Sequence, residues 1–104
     1  MNARNMEMTE FVERYSCFSE EKDSILCVGL DPALPRQRSQ NTLPKKYLEE
    51  VDETEARLEF CLDIIDQTRA FCCAYKPNQQ YVWGFTKKQH KRLTTAIRKA
   101  DAIS

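Results

Sequence analysis

The chain has 104 residues, with 16 Lys plus Arg against 16 Asp plus Glu, so it carries no formal net charge. That length allows one domain at most, and the balance excludes polyanion binding through overall charge while leaving local basic patches open. At 41% hydrophobic and 31% charged residues, with two Gly and four Pro, the composition is that of a soluble globular chain, neither disordered nor fibrous. No apolar run approaches the roughly 20 residues of a membrane span. The first residues lack the apolar stretch of a signal peptide, and Glu7, Glu10 and Glu13 argue against a transit peptide. No membrane partner is expected.

The five cysteines are Cys17, Cys27, Cys61, Cys72 and Cys73, an odd number with no C-x-x-C pair. With one His in the chain they do not make a zinc pattern. They read as small apolar residues in a reducing compartment, and the expected localisation is cytoplasmic.

In chain order, a first helix is predicted over Thr9–Lys22, capped by Thr9, with Phe11, Val12, Tyr15 and Phe18 on one side. Residues 24–30 (SILCVGL) form a short apolar run ending at Asp31-Pro32, which reads as a strand buried on both faces. Asp31–Pro44 contains Pro32, Pro35 and Pro44 among polar residues and is loop. A short turn is expected at Lys45–Val51, then a helix from Asp52 or Glu53 to Arg69 with Leu58, Cys61, Leu62, Ile65 and Thr68 or Arg69 inward. Glu49–Asp66 holds eight acids and one base, Arg57, which reads as a solvated outer face. Residues 71–75 (FCCAY) are a second buried strand, ending at Lys76-Pro77. The last helix is predicted from Thr86, where Thr86 and Gln89 fit a capping box, with Leu93, Ala96, Ile97 and Ala100 as its apolar stripe. Its basic residues, Lys87, Lys88, Lys91, Arg92, Arg98 and Lys99, read as a solvated face rather than a nucleic-acid site. Asp101–Ser104 resembles the entrance to a third strand.

Buried strands alternating with helices predict right-handed β-α units on a parallel sheet, with 24–30 and 71–76 adjacent and joined by the helix over about 53–69. Two strands cannot hide both faces of such a sheet, and a whole β/α barrel takes about 250 residues. Residues 1–104 are therefore expected to be one part of a larger α/β barrel, its first strand–helix units up to the third strand.

Period-two alternation places Ile25, Cys27, Gly29 and Asp31 on one face and Leu26, Val28 and Leu30 on the other. In the second strand Cys72, Ala74 and Lys76 oppose Phe71, Cys73 and Tyr75. Each strand thus has one bulky face suited to lie under helices. Each also has one face of smaller residues that ends in a charge. Asp31 and Lys76 both fall at the C-terminal strand edge, where active sites of parallel α/β proteins are built. Asp31 also fits a plain turn residue before Pro32, Lys76 an exposed strand end, and Asn78 a turn. His90 is expected on the exposed face of the last helix, and Tyr81 and Trp83 over the end of the sheet.

Ile25–Pro32 (ILCVGLDP), followed some 45 residues later by Ala74–Asn78 (AYKPN), resembles orotidine 5′-phosphate decarboxylase of the longer subfamily, whose motifs read L-C-V-G-L-D-P and A-x-K-P-N. Ile64–Thr68 (IIDQT) is similar to the helix before the second motif. The resemblance spans about residues 10 to 104. It implies a TIM (β/α)8 barrel that converts orotidine 5′-phosphate to UMP and carbon dioxide with neither metal nor cofactor. It implies that Asp31 hydrogen-bonds the substrate ribose, that Lys76 belongs to a Lys-Asp-Lys-Asp array around the scissile carboxylate, and that Asn78 lies at the rim as a substrate-binding residue. It also implies a homodimer for the complete protein. The family's D-x-K-x-x-D motif, which supplies the proton-donating lysine and two acids, does not occur in these residues, nor do the later phosphate loops. The Phe-rich stretch after K-P-N is replaced by Gln79–Trp83 (QQYVW). As an N-terminal fragment the chain is expected to be inactive alone. Two other readings remain: a non-catalytic interaction module built on β/α units, and a different phosphate-handling β/α enzyme.

Overall fold

The computed structural model describes residues 3–50 and 52–104, with side chains from Glu10 onward. Its elements are α1 (Ala3–Lys22), β1 (Cys27–Leu30), α2 (Lys45–Leu48), α3 (Glu53–Thr68), β2 (Ala74–Pro77), α4 (Gln79–Val82) and α5 (Lys87–Lys99). It is a small α/β domain in which β1 and β2 are parallel neighbours, paired Cys27 to Ala74, Val28 to Tyr75, Gly29 to Lys76 and Leu30 to Pro77. The predicted adjacency, direction and joining helix therefore hold. The third-strand entrance is present as a single parallel bridge from Ile103 to Ala74. There the Tyr75 N–H donates to the Ile103 carbonyl at 2.7 Å and the Ile103 N–H to the Cys73 carbonyl at 3.1 Å.

α3 begins where its sequence says it should. The Asp52 carboxylate accepts from the amides of Thr54 and Glu55, satisfying two of the donors that a helix start leaves free. Leu58, Cys61 and Ile65 lie inward and fully buried, with Leu62 half-buried beside them. They meet Val28 and Leu30 of β1, Tyr75 of β2 and Leu93 and Ile97 of α5 in one core. The Tyr75 hydroxyl is held inside this layer by the Ile65 carbonyl at 3.2 Å and by the Thr68 hydroxyl at 2.8 Å. α5 starts with the expected capping box, Thr86 with Gln89. A second core of Leu34, Leu43, Tyr47 and Ala56 packs the proline-rich loop onto α3, with Phe60 edge-on to Tyr47 at 5.4 Å between ring centroids.

Several expectations need correction. α1 runs through Thr9 rather than starting there, because Ala3–Met8 is itself rich in good helix formers. Its apolar side is packed in part: Phe11 is 51% and Val12 57% exposed, while Tyr15 and Phe18 further along are half-buried. The helix is held at its C-terminal end instead, where the Lys22 ammonium donates to the carbonyls of Cys72 at 2.8 Å and Ala100 at 2.5 Å. β1 is shorter than predicted and is buried on one face only. Cys27 and Gly29 are open, because no layer covers that face among the described residues. Ile25, 80% exposed, belongs to the irregular approach to the strand. Phe71 is 65% exposed in the turn after α3 instead of packing under a helix. Trp83 is 86% exposed and covers nothing, while Tyr81 is buried as expected. The turn at α2 is present, and Val51 lies outside the described residues. α4, one turn long, is an element that the sequence periodicity does not predict.

Candidate functional site

The parallel register decides which side chains share a face. Paired residues of parallel strands point the same way, so Cys27 and Gly29 lie beside Ala74 and Lys76 on the open face. Asp31 continues that face just past the end of β1. Gly29, Asp31, Lys76, Pro77, Asn78 and Gln79 line an open groove of about 400 Å³ at the C-terminal strand edge. Two grooves elsewhere are somewhat larger. One lies between α3 and α5, with Lys88, Lys91, Arg92 and Lys99 around Leu62 and Ala96. The other lies beside α2, with Glu49, Glu50 and Glu53. Neither is formed by strand ends, where parallel sheets gather side chains from separate elements.

Within the strand-edge groove Asp31 is half-buried and Lys76 is exposed. Asp31 Oδ1 accepts from Asn78 Nδ2 at 2.9 Å. Asp31 Oδ2 lies over Gly29, only 3.0 Å from where a Cβ would stand on that residue. A side chain at Gly29 would thus crowd the carboxylate and make it give by a few tenths of an ångström. Asp31 and Lys76 make no ion pair, although they flank the same groove; the ion pairs among the described residues are Arg36 with Glu53 and Arg92 with Glu55. Asn78 caps α4 through its Oδ1, which accepts from the Gln80 amide at 3.0 Å. Of the three residues singled out from the sequence, the fold brings Asp31 and Asn78 into contact and leaves Lys76 free beside them.

One cysteine borders this face. Burial pushes the Cys27 thiol up, Cys72 and Cys73 nearby push the same way, and the positive charge of Lys76 works against them. Cys61, beneath the sheet, is pushed up to about 12 by burial, with a smaller contribution from the Asp31 charge. All five cysteines are unpaired thiols, and no cluster of three or more metal-ligating side chains occurs among the described residues.

The support behind the groove includes a residue that its sequence position hides. Arg57, buried on α3, donates to the Tyr81 carbonyl at 2.9 Å and to the Glu53 carbonyl at 3.3 Å, fixing α4 against α3. The only hint in the sequence is that Arg57 is the sole base among eight acids. α4 itself left a clearer trace, since Asn after Pro77 is a strong helix cap. His90 is exposed on α5 as expected, its ring tilted against Phe85 at 5.6 Å.

These features define a parallel β/α protein with polar residues collected at its C-terminal strand edge. The chain is similar to the orotidine 5′-phosphate decarboxylases. It is 37% identical over 71 residues to the enzyme of Cupriavidus metallidurans, covering 68% of this chain and 23% of that protein. It is 35% identical over 68 residues to that of Leptospira interrogans, covering 65% and 22%, and 35% identical over 71 residues to that of a Janthinobacterium species, covering 68% and 23%. The chain therefore spans less than a quarter of the length of these curated relatives. No family model matches the chain, and no solved structure matches it. No helix among the described residues is long and apolar enough to cross a membrane.

Proposed function

We propose that the chain forms the opening strand–helix units of an orotidine 5′-phosphate decarboxylase barrel and contributes one edge of its substrate site. The observation that carries this reading is the placement of Asp31 and Lys76 on one face at the C-terminal strand edge, around one groove, in a chain similar to those enzymes. Asp31 would accept hydrogen bonds from the ribose hydroxyls; a carboxylate fixed at one oxygen keeps its other oxygen for a ligand. Lys76 would place a positive charge beside the pyrimidine. Loss of carbon dioxide leaves a carbanion-like centre, and a fixed ammonium stabilises the developing negative charge more strongly in a site closed to water than in solution. One group must then deliver a proton to that carbon. In the resembled family that lysine and its two acids belong to D-x-K-x-x-D, which these 104 residues do not contain. The complete protein is read as a cytoplasmic homodimer that uses neither metal nor cofactor.

The reading makes two separable predictions for the 104-residue chain. Added UMP should shift the backbone amide resonances of residues 29–31 and 76–78 in a saturable way. The loss of orotidine 5′-phosphate absorbance should remain at the blank rate, because the groove holds one ammonium and no proton-delivering partner. Shifts confined to the basic residues of α5 would mean that phosphate charge alone drives binding, and the substrate assignment would fail. Turnover that tracks the purified chain and disappears in Lys76→Ala would overturn the mechanistic part.

A further inference from the structure

Asn78 has more polar groups engaged inside the fold than a ligand-contacting residue leaves free. Its backbone N–H donates to the Leu30 carbonyl at 3.0 Å, and its carbonyl accepts from the amides of Tyr81 at 3.0 Å and Val82 at 3.1 Å. Its side-chain Oδ1 accepts from the Gln80 amide at 3.0 Å, and its Nδ2 donates to Asp31 Oδ1 at 2.9 Å. An asparagine side chain offers two N–H donors and one carbonyl oxygen, so only one N–H and part of the oxygen's capacity stay uncommitted. These bonds join three chain segments at one point: the exit of β1, the exit of β2 and the start of α4.

We propose that Asn78 is a positioning residue for the Asp31 carboxylate rather than a contact of the substrate. Asp31 is fixed from two sides. The Asn78 amide holds Oδ1, and the bare backbone of Gly29 receives Oδ2, in a space 3.0 Å from the missing Cβ. No other hydrogen bond to the Asp31 side chain is present among the described residues. Remove the Asn78 amide and nothing specifies the Asp31 rotamer but the space over Gly29. An aspartate with one freely turning χ1 must be ordered by each ligand it binds, which weakens binding without removing any ligand contact. The significance of this clamp for substrate rests on the reading of Asp31 given above; the clamp itself does not.

The test uses the full 104-residue chain and Asn78→Ser. Serine keeps a side-chain oxygen able to cap α4, but it has no amide to reach Asp31. Three-bond couplings of the Asp31 side chain should report one χ1 rotamer in the parent chain and averaging in Asn78→Ser, with the Gln80 amide still protected from exchange. Asn78→Ala should show the same averaging and also lose the Gln80 protection. UMP affinity should fall severalfold, up to about tenfold, in Asn78→Ser, the cost of immobilising one side chain on binding. Asp31→Ala combined with Asn78→Ser should bind no more weakly than Asp31→Ala alone, because a positioning residue has nothing left to position. An Asp31 rotamer that stays fixed in both Asn78 variants would overturn the proposal. So would additive losses in the double variant, which would place Asn78 on the substrate itself. A parent chain that does not bind UMP would refute the substrate reading, while the couplings would still decide the clamp.

Discussion

At the scale of single residues, the groove depends on what Gly29 lacks. A methyl placed there would press on Asp31 Oδ2 at 3.0 Å, so Gly29→Ala should displace the Asp31 carboxylate by a few tenths of an ångström and weaken UMP binding severalfold. The fold should keep its melting temperature within a few degrees, since that face of β1 is open and nothing but Asp31 must move. Arg57 makes the opposite case. Its guanidinium is buried and bonded to backbone carbonyls 24 residues away and on its own helix. Arg57→Met preserves the bulk but leaves the Tyr81 carbonyl without its donor, which should cost about 1–3 kcal/mol in denaturant unfolding. A loss below the error of the measurement would show that α4 does not need this tie. Asp31 and Lys76 were legible in the sequence because period-two alternation fixes strand faces without knowledge of neighbours. The Asn78 to Asp31 bond and the Arg57 to Tyr81 bond were not, because each joins residues that only the folded chain brings together.

At the scale of elements, α3 and α5 are locked by a polar network at their N-terminal ends. Gln89 donates to Glu55 Oε2 at 3.1 Å and to the Thr54 hydroxyl at 3.2 Å, and Arg92 donates to Glu55 Oε1 at 2.7 Å. The Arg92 hydrogen bond first, then that of Gln89, holds the Glu55 carboxyl below its usual value of 4.5. A lowered folded value means that the stabilisation is complete above the unfolded value and is lost as pH falls through the folded one. Stability should therefore be flat above about pH 5.5 and decline below roughly pH 4.5. Glu53, lowered by Arg36, and Asp52, lowered by the Thr54 hydroxyl and the Glu55 amide, act in the same direction. Urea unfolding from pH 7 to pH 3 should show this decline, and Glu55→Gln should make it shallower. An unchanged slope in Glu55→Gln would remove Glu55 from the account. The helices themselves could be read from the sequence: the capping box of α5 and the inward stripe of α3 are local patterns. α1 ends at Lys22 as predicted but starts earlier, and only the Tyr15 and Phe18 part of its apolar stripe finds cover, because a stripe announces that a helix has an apolar side, not how much of it meets a partner. Alternation also failed at Phe71, which precedes β2, so its position is set by the turn rather than by the pleat.

At the scale of the molecule, the radius of gyration is 15.0 Å and the longest axis 47 Å, against about 13 Å for a compact chain of this length. α1 projects, the Cys27 and Gly29 face is open, and Ile25 and Phe71 are mostly exposed. Two strands and a bridge cover one face of the sheet and leave Cys27, Gly29 and Lys76 open on the other, where Ala74 alone is buried, and open strand edges invite pairing with other chains. The 104-residue chain should be marginally stable, with sedimentation that depends on protein concentration. A monomer at high concentration that unfolds in one cooperative transition of several kcal/mol would contradict this. The parallel order was legible because buried strands separated by one amphipathic helix admit few other arrangements. How much of each strand is covered was not, because it depends on what lies across the open face.

We propose that these residues are a working portion of a decarboxylase barrel, with Lys76 beside the reacting centre. This is tested most directly by replacing the matching portion of the Cupriavidus metallidurans orotidine 5′-phosphate decarboxylase with this chain and following loss of orotidine 5′-phosphate absorbance. A folded chimera should turn the substrate over, and Lys76→Ala in it should lower turnover by about a hundredfold or more, the range in which loss of one preorganised electrostatic contact falls. A folded chimera without activity, or one whose turnover survives Lys76→Ala, would contradict the account.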